Sequence, residues 1–238
     1  MEKINPGFGD FFLLTCLGFS EKNGFFIMGI ILKKKLEDGS VLGLWEITED
    51  ISVLLNQVKL SDTELNRFYG FLSHARKLEF LSVRALLAKM INPDVKIAYT
   101  KNRKPYLDDD SHNISISHSK NLTSILMNKT KRVGIDLEFM SHRIRKIAHK
   151  FINDNESINI NELTEKYHLY IHWCAKEALY KICDKKDINF KLNLFIKPFQ
   201  LNSEGVIKGK VDSERIDEEF DLNYFKYDNY IIVYTSKV

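Results

Sequence analysis

The chain has 238 residues, 44% of them hydrophobic and 28% charged, a mixture that suits one large globular domain or two small ones with a real core. Its formal net charge of +3 is too small to argue for a nucleic-acid binder, although locally basic faces can still attract an acidic partner. Three cysteines, Cys16, Cys174 and Cys183, have no metal-ligand spacing and form no even disulfide set, so a reducing cytoplasm is the expected compartment.

The apolar runs Phe11 to Phe19 and Phe25 to Leu32 do not read as a leader or a membrane span. Asp10 interrupts the approach, the basic and small-residue flanks of a signal peptide are missing, and a bilayer helix needs about 20 apolar residues. Strands are predicted instead at 11–19, 25–34 and 40–46, the last preceded by an Asp38-Gly39 turn. Ser61-Asp-Thr-Glu64 has the form of a capping box and predicts a helix running into Leu65, Phe68 and Phe71. A longer helix over 75–91 places Leu78, Leu81, Ala85, Leu86 and Met90 at apolar spacing and stops before Pro93. A strand at 95–99 leads into a surface connection through Lys101 to Tyr106 and Asp108 to His112.

In Asn113-Ile-Ser-Ile-Ser117 the side chains alternate, so Ile114 and Ile116 share one strand face and the serines the other. Strands at 122–128 and 132–139 follow, then a basic helix over 143–152, a turn at 153–155 and a long helix over 162–183. Four strands close the chain, near 194–199, 205–211, 219–226 and 229–236.

Chemistry concentrates in Val133-Gly-Ile-Asp-Leu-Glu138 and Trp173-Cys-Ala-Lys-Glu-Ala-Leu-Tyr-Lys181. On a strand, Asp136 and Glu138 point the same way, and two adjacent acids repel unless a cation such as Mg2+ sits between them. On a helix, Trp173, Glu177 and Lys181 share a face, adding a third carboxylate with a lysine one turn away. Taken alone, the strand acids could be solvent-facing groups on an edge strand, which is the usual fate of such residues, and Glu177 with Lys181 an ordinary helix ion pair. The segments 81–89 and 173–181 can also be laid over one another, pairing Arg84 with Lys176 and Lys89 with Lys181; Gly43 then falls opposite Gly134, one residue out of step.

Gly134, Asp136 and Glu138, followed about forty residues on by Trp173, Lys176, Glu177 and Lys181, resemble the signature of the surfactin-type 4′-phosphopantetheinyl transferases. Upstream elements extend the likeness: Lys104-Pro105 resembles a G-K-P element, with Arg103 where the glycine usually stands. Ser115-Ile-Ser-His-Ser119 resembles N-(I/L)-S-H-S, with Ser115 for the asparagine, and Arg76 with Arg84 resembles a basic helix that meets a nucleotide 3′-phosphate.

The resemblance implies an α/β (α+β) fold of two similar lobes, 1–108 and 109–238, about a pseudo-twofold axis. Each lobe would be a small, mostly antiparallel sheet on a long helix. It implies metal ligands Asp136, Glu138 and Glu177 for Mg2+, with Mn2+ the alternative ion. Coenzyme A, as co-substrate, would meet Arg76, Lys104, Ser117, His118, Lys176 and Lys181, while Glu177 and Lys181 would be catalytic. Glu177 is the first choice to take the serine proton and a metal-bound water the second.

The implied reaction moves the 4′-phosphopantetheine arm onto a serine of an apo acyl or peptidyl carrier protein and releases 3′,5′-ADP. The basic stretch from His142 to Phe151 would dock the carrier's acidic helix. No nucleic-acid or membrane partner is expected, and a chain of two similar halves favours a monomer. The rival reading is another Mg2+-dependent phosphate or phosphodiester enzyme using the same acids.

Overall fold

The computed structural model describes residues 29–159, 161–184 and 187–238. The strand expected at 11–19, the first part of the one at 25–34, and Cys16 lie outside the described residues.

Among the described residues the first sheet is antiparallel with four strands in the order β1-β2-β6-β5: β1 (Ile30–Lys35), β2 (Val41–Glu46), β5 (Asn113–Ser119) and β6 (Leu122–Asn128). Between β2 and β5 the chain forms α1 (Ile51–Gln57), α2 (Asp62–Tyr69), α3 (His74–Met90) and a small hairpin of β3 (Ile97–Tyr99) with β4 (Pro105–Leu107). The capping box forms as the sequence dictates, Ser61 Oγ accepting the Glu64 N–H while Glu64 Oε2 accepts the Ser61 N–H.

The second sheet is also antiparallel, ordered β7-β11-β10-β9-β8, from β7 (Arg132–Phe139), β8 (Leu194–Ile196), β9 (Glu204–Asp212), β10 (Asp217–Tyr227) and β11 (Tyr230–Lys237). Ahead of its long helix α5 (Glu162–Ile182), the basic segment divides into a short helix α4 (Arg143–Ile147) and a 3₁₀ turn over Ala148–Lys150. Architecture is therefore α+β with antiparallel sheets, as expected. Strands β5 and β6 belong to the first sheet, so the chain passes from one sheet to the other between β6 and β7.

Alternation sorts the side chains into three cores. Residues of α3 pack with Ile114 and Ile125 against the first sheet, and residues of α5 pack with Ile231 and Val233 against the second. Between the sheets, Leu42, Leu44, Leu122 and Leu126 meet Val133, Ile135, Leu137 and Ile232. The odd-numbered residues of β7 thus fill the inter-sheet core, which turns Gly134, Asp136 and Glu138 to the other face.

Close helix packing explains the glycine of the first motif. A Cβ on Gly134 would lie 2.2 Å from the Ala178 carbonyl oxygen and 3.1 Å from Ile182 Cβ; one on Gly43 would lie 2.4 Å from Met90 Sδ and 3.0 Å from Leu86 Cδ1. Leu86 and Met90 are the positions that the sequence overlay pairs with Ala178 and Ile182. Arg84 and Lys176 correspond as well: each is buried and ion-paired, Arg84 Nε to Glu64 Oε1 at 2.9 Å and Lys176 Nζ to Glu156 Oε2 at 2.7 Å. The short overlay has a counterpart in packing.

Candidate active site

Asp136, central in β7, is almost fully buried although its strand forms one edge of the second sheet. Burial of a carboxylate requires partners. Its Oδ1 accepts the Ser117 hydroxyl and a bond from Lys181 Nζ, both at 2.7 Å. The Lys181 ammonium also contacts the Ile135 carbonyl at 2.9 Å, Ser117 Oγ at 3.1 Å and the Ile116 carbonyl at 3.3 Å. Oδ2 of Asp136 is buried with no hydrogen-bond partner among the described residues.

Glu138 lies two residues on, half-buried, with Oε2 accepting the Ser119 hydroxyl at 2.7 Å. Burial pushes its carboxyl above the usual range, and the neighbouring Asp136 charge adds to the shift. The Cys174 thiol is also pushed well up, by burial and by the charges of Asp136 and Glu138, so it stays protonated and inert. Cys174 and Lys181 both reach Asp136 from α5, and half-buried Glu177 lies between them on the same helix face.

No three His, Cys, Asp or Glu side chains among the described residues stand grouped to hold a metal ion. The donor types nevertheless fit a hard divalent cation. An orphaned carboxylate oxygen sits beside a second carboxyl whose ionisation that neighbour opposes, and a cation relieves both.

Beside this cluster a cleft of about 250 Å³ is lined by α3, β5, the 103–105 loop and the end of α5, with Lys181 on its wall. Among the described residues, six basic side chains line it, Arg67, Arg76, Arg84, Arg103, Lys104 and Lys181, against two acidic ones, Glu79 and Asp184. Such a balance suits a polyanion, and arginine forks match phosphate geometry.

His118 at the end of β5 also lines the cleft, its Nε2 accepting from Arg76 NH1 at 2.8 Å while Nδ1 faces Glu79 Oε2 at 3.5 Å. Burial lowers its pKa below the ordinary value, with Arg76 and Lys181 adding to the effect against Glu79 and Asp136. His118 is therefore a neutral hydrogen-bonding ring, and the positive charge of the cleft comes from the arginines and lysines. Across the cleft, Lys104 Nζ pairs with Asp184 Oδ1 at 2.9 Å. Arg103 adopts a left-handed backbone with φ 62°, the conformation a glycine at that position would take without strain.

Of the residues expected to meet coenzyme A, the cleft gathers Arg76, Lys104, His118 and Lys181. Ser117 is turned to Asp136 instead. Lys176 is the clear departure: it is fully buried, and its ammonium is taken by Glu156 Oε2 and the carbonyls of Phe151 and Phe190. It anchors α5 to the preceding turn and does not face the cleft. Arg67 and Tyr99 were not anticipated, although the 4.4 Å stacking of the Arg67 guanidinium on the Tyr99 ring places both in the lining. Neither stands in a motif, so only the fold could reveal them.

Comparison with known proteins finds two likenesses. The chain is 28% identical over 149 residues to a 4′-phosphopantetheinyl transferase, HetI, of a Nostoc species, an alignment covering 56% of this chain and 61% of the relative's length. The sequence profile of the 4′-phosphopantetheinyl transferase superfamily matches residues 132–235. That segment, which carries Asp136, Glu138, Glu177 and Lys181, is what this chain shares with the 4′-phosphopantetheinyl transferase superfamily.

Proposed function

We propose that the protein transfers the 4′-phosphopantetheine arm of coenzyme A to a serine of an apo acyl or peptidyl carrier protein, releasing 3′,5′-ADP in an Mg2+-dependent reaction. The observation that carries this reading is the buried, half-satisfied carboxylate of Asp136 beside Glu138, at the edge of a cleft whose lining is mainly cationic.

Coenzyme A binds in the cleft, where Arg76 and Lys104 hold its phosphates and Arg84 adds charge from the buried wall. Lys104 exchanges its Asp184 partner for a phosphate oxygen, and neutral His118 holds the Arg76 guanidinium in place. Asp136, Glu138 and Glu177 would hold the divalent cation, which supplies charge stabilisation to a diphosphate. Glu177 accepts the proton of the carrier serine as its oxygen bonds to the β-phosphorus. The bond from that phosphorus to the bridging diphosphate oxygen breaks, and Lys181 offsets the charge left on 3′,5′-ADP. Positioning and electrostatics supply most of the catalysis, as is usual in phosphoryl-type transfer.

Docking falls to the basic segment beside β7, where His142, Arg143, Lys146, His149 and Lys150 are exposed while Arg145 is held by Glu165 at 2.6 Å. These cations would meet the acidic helix of a carrier.

Incubation with coenzyme A, Mg2+ and a panel of apo carriers, read by mass spectrometry, tests the proposal. One phosphopantetheine is expected on the carrier serine with the wild-type protein and none with Asp136→Ala. Unchanged carrier modification by that variant would refute the role given to Asp136. Degradation of a nucleic acid, with no carrier modified, would favour the rival phosphodiester chemistry.

A further inference from the structure

Strands β5 and β7 are neighbouring edges of different sheets, and serine hydroxyls join them. Ser115 Oγ accepts the Ile135 N–H at 3.1 Å, Ser117 Oγ donates to Asp136, and Ser119 Oγ donates to Glu138 Oε2 at 2.7 Å. Ser119 Oγ also accepts the Phe139 N–H at 3.2 Å. One hydroxyl thereby grips both the Glu138 carboxylate and the backbone just after it. The bonds pair residues that advance together along both strands, so the alternation of β5 delivers a hydroxyl to each β7 acid in turn.

A glutamate needs such a grip more than an aspartate does. Its longer side chain gives up to about 1.5–2 kcal/mol of rotamer freedom when ordered. Lys181 holds Asp136, whereas the Glu138 carboxylate is anchored by Ser119.

We propose that Ser119 is a positioning residue for the cation site, fixing Glu138 through Oε2 in the rotamer that shares a hard divalent cation with Asp136 and leaving Oε1 to the metal. The proposal rests on the metal reading given above. Partners that orient a metal ligand typically contribute 10–100-fold to affinity.

The test is Mn2+ binding followed by electron paramagnetic resonance, with coenzyme A present and a protein-free blank, beside a thermal melt of each variant. Ser119→Ala is expected to weaken Mn2+ binding about 10-fold with a small change in melting temperature, and Ser119→Thr, which keeps the hydroxyl, to restore it. Ser115→Ala, which loses only its bond to the β7 backbone, is expected to lower the melting temperature and leave Mn2+ affinity unchanged. Wild-type affinity in Ser119→Ala, or equal weakening in Ser115→Ala, would overturn the assignment to Ser119 while leaving the metal site standing. Absence of Mn2+ binding by the wild-type protein would instead bring down the metal reading itself.

Discussion

Lys176 and Lys181 are five positions apart on α5, so their side chains leave the helix roughly 140° apart. One geometry sends Lys181 to Asp136 and the cleft, the other sends Lys176 to Glu156 beneath the turn at 153–156. Glu156 is fully engaged there, accepting backbone N–H bonds from Asn153 and Ile196 at 2.7 Å as well as the lysine. Lys176→Ala would strand a buried carboxylate and is expected to cost about 3–5 kcal/mol in urea unfolding. Paired replacement by Lys176→Met with Glu156→Gln should recover part of that loss, and the KM for coenzyme A of the folded variants should match wild type. A raised KM at unchanged stability would return Lys176 to the cleft. Motif spacing makes the importance of a residue legible, but not which of two lysines faces the ligand, because that depends on where the helix docks.

At the scale of elements, most of the site could be read from pattern. The alternation in 113–117, the strands at 122–128 and 132–139 and the long helix all appear with bounds near those expected, because each carries a strong apolar period or a recognisable cap. Helix α1 and strand β4 were missed: the first has seven residues and no side-chain cap bond, the second three residues beginning at Pro105. Short elements are fixed by what they pack against. The glycine of the acidic motif is a packing requirement, and this yields an ordered expectation. Gly43→Ala meets the flexible tip of Met90 and should cost about 1–3 kcal/mol. Gly134→Ala meets the rigid Ala178 carbonyl and should cost more, besides displacing Asp136 from Lys181 and lowering transfer activity. Thermal melts of the two variants check the order, and equal losses would contradict this account of α5 on β7.

Across the whole molecule, β6 pairs with β2 and β5 with β6, a long-range choice that local pattern does not encode. No described helix is both long and apolar enough to cross a membrane. The second core carries an acid-sensitive feature. His172, one turn from His168 and packed by Phe199, is buried, with its pKa lowered to about 3 by burial first and by His168 and Lys176. A base whose folded pKa is depressed stays neutral in the native state while the unfolded chain takes up a proton. Stability should therefore fall as pH drops from about 6.5 towards 3, by up to roughly 1.4 kcal/mol per pH unit from this residue. His172→Leu should flatten that slope in urea titrations across the range, and an unchanged slope would place the acid sensitivity elsewhere.

The central claim is that acids from β7 and α5 share one cation that binds the diphosphate of coenzyme A. Anomalous diffraction from crystals grown with Mn2+ and coenzyme A tests it most directly. The account expects one strong peak at coordination distance from Asp136, Glu138 and Glu177 and from diphosphate oxygens in the cleft beside Lys181. Coenzyme A bound in the cleft with no Mn2+ peak at those acids, or with Glu177 turned away from it, would contradict the account.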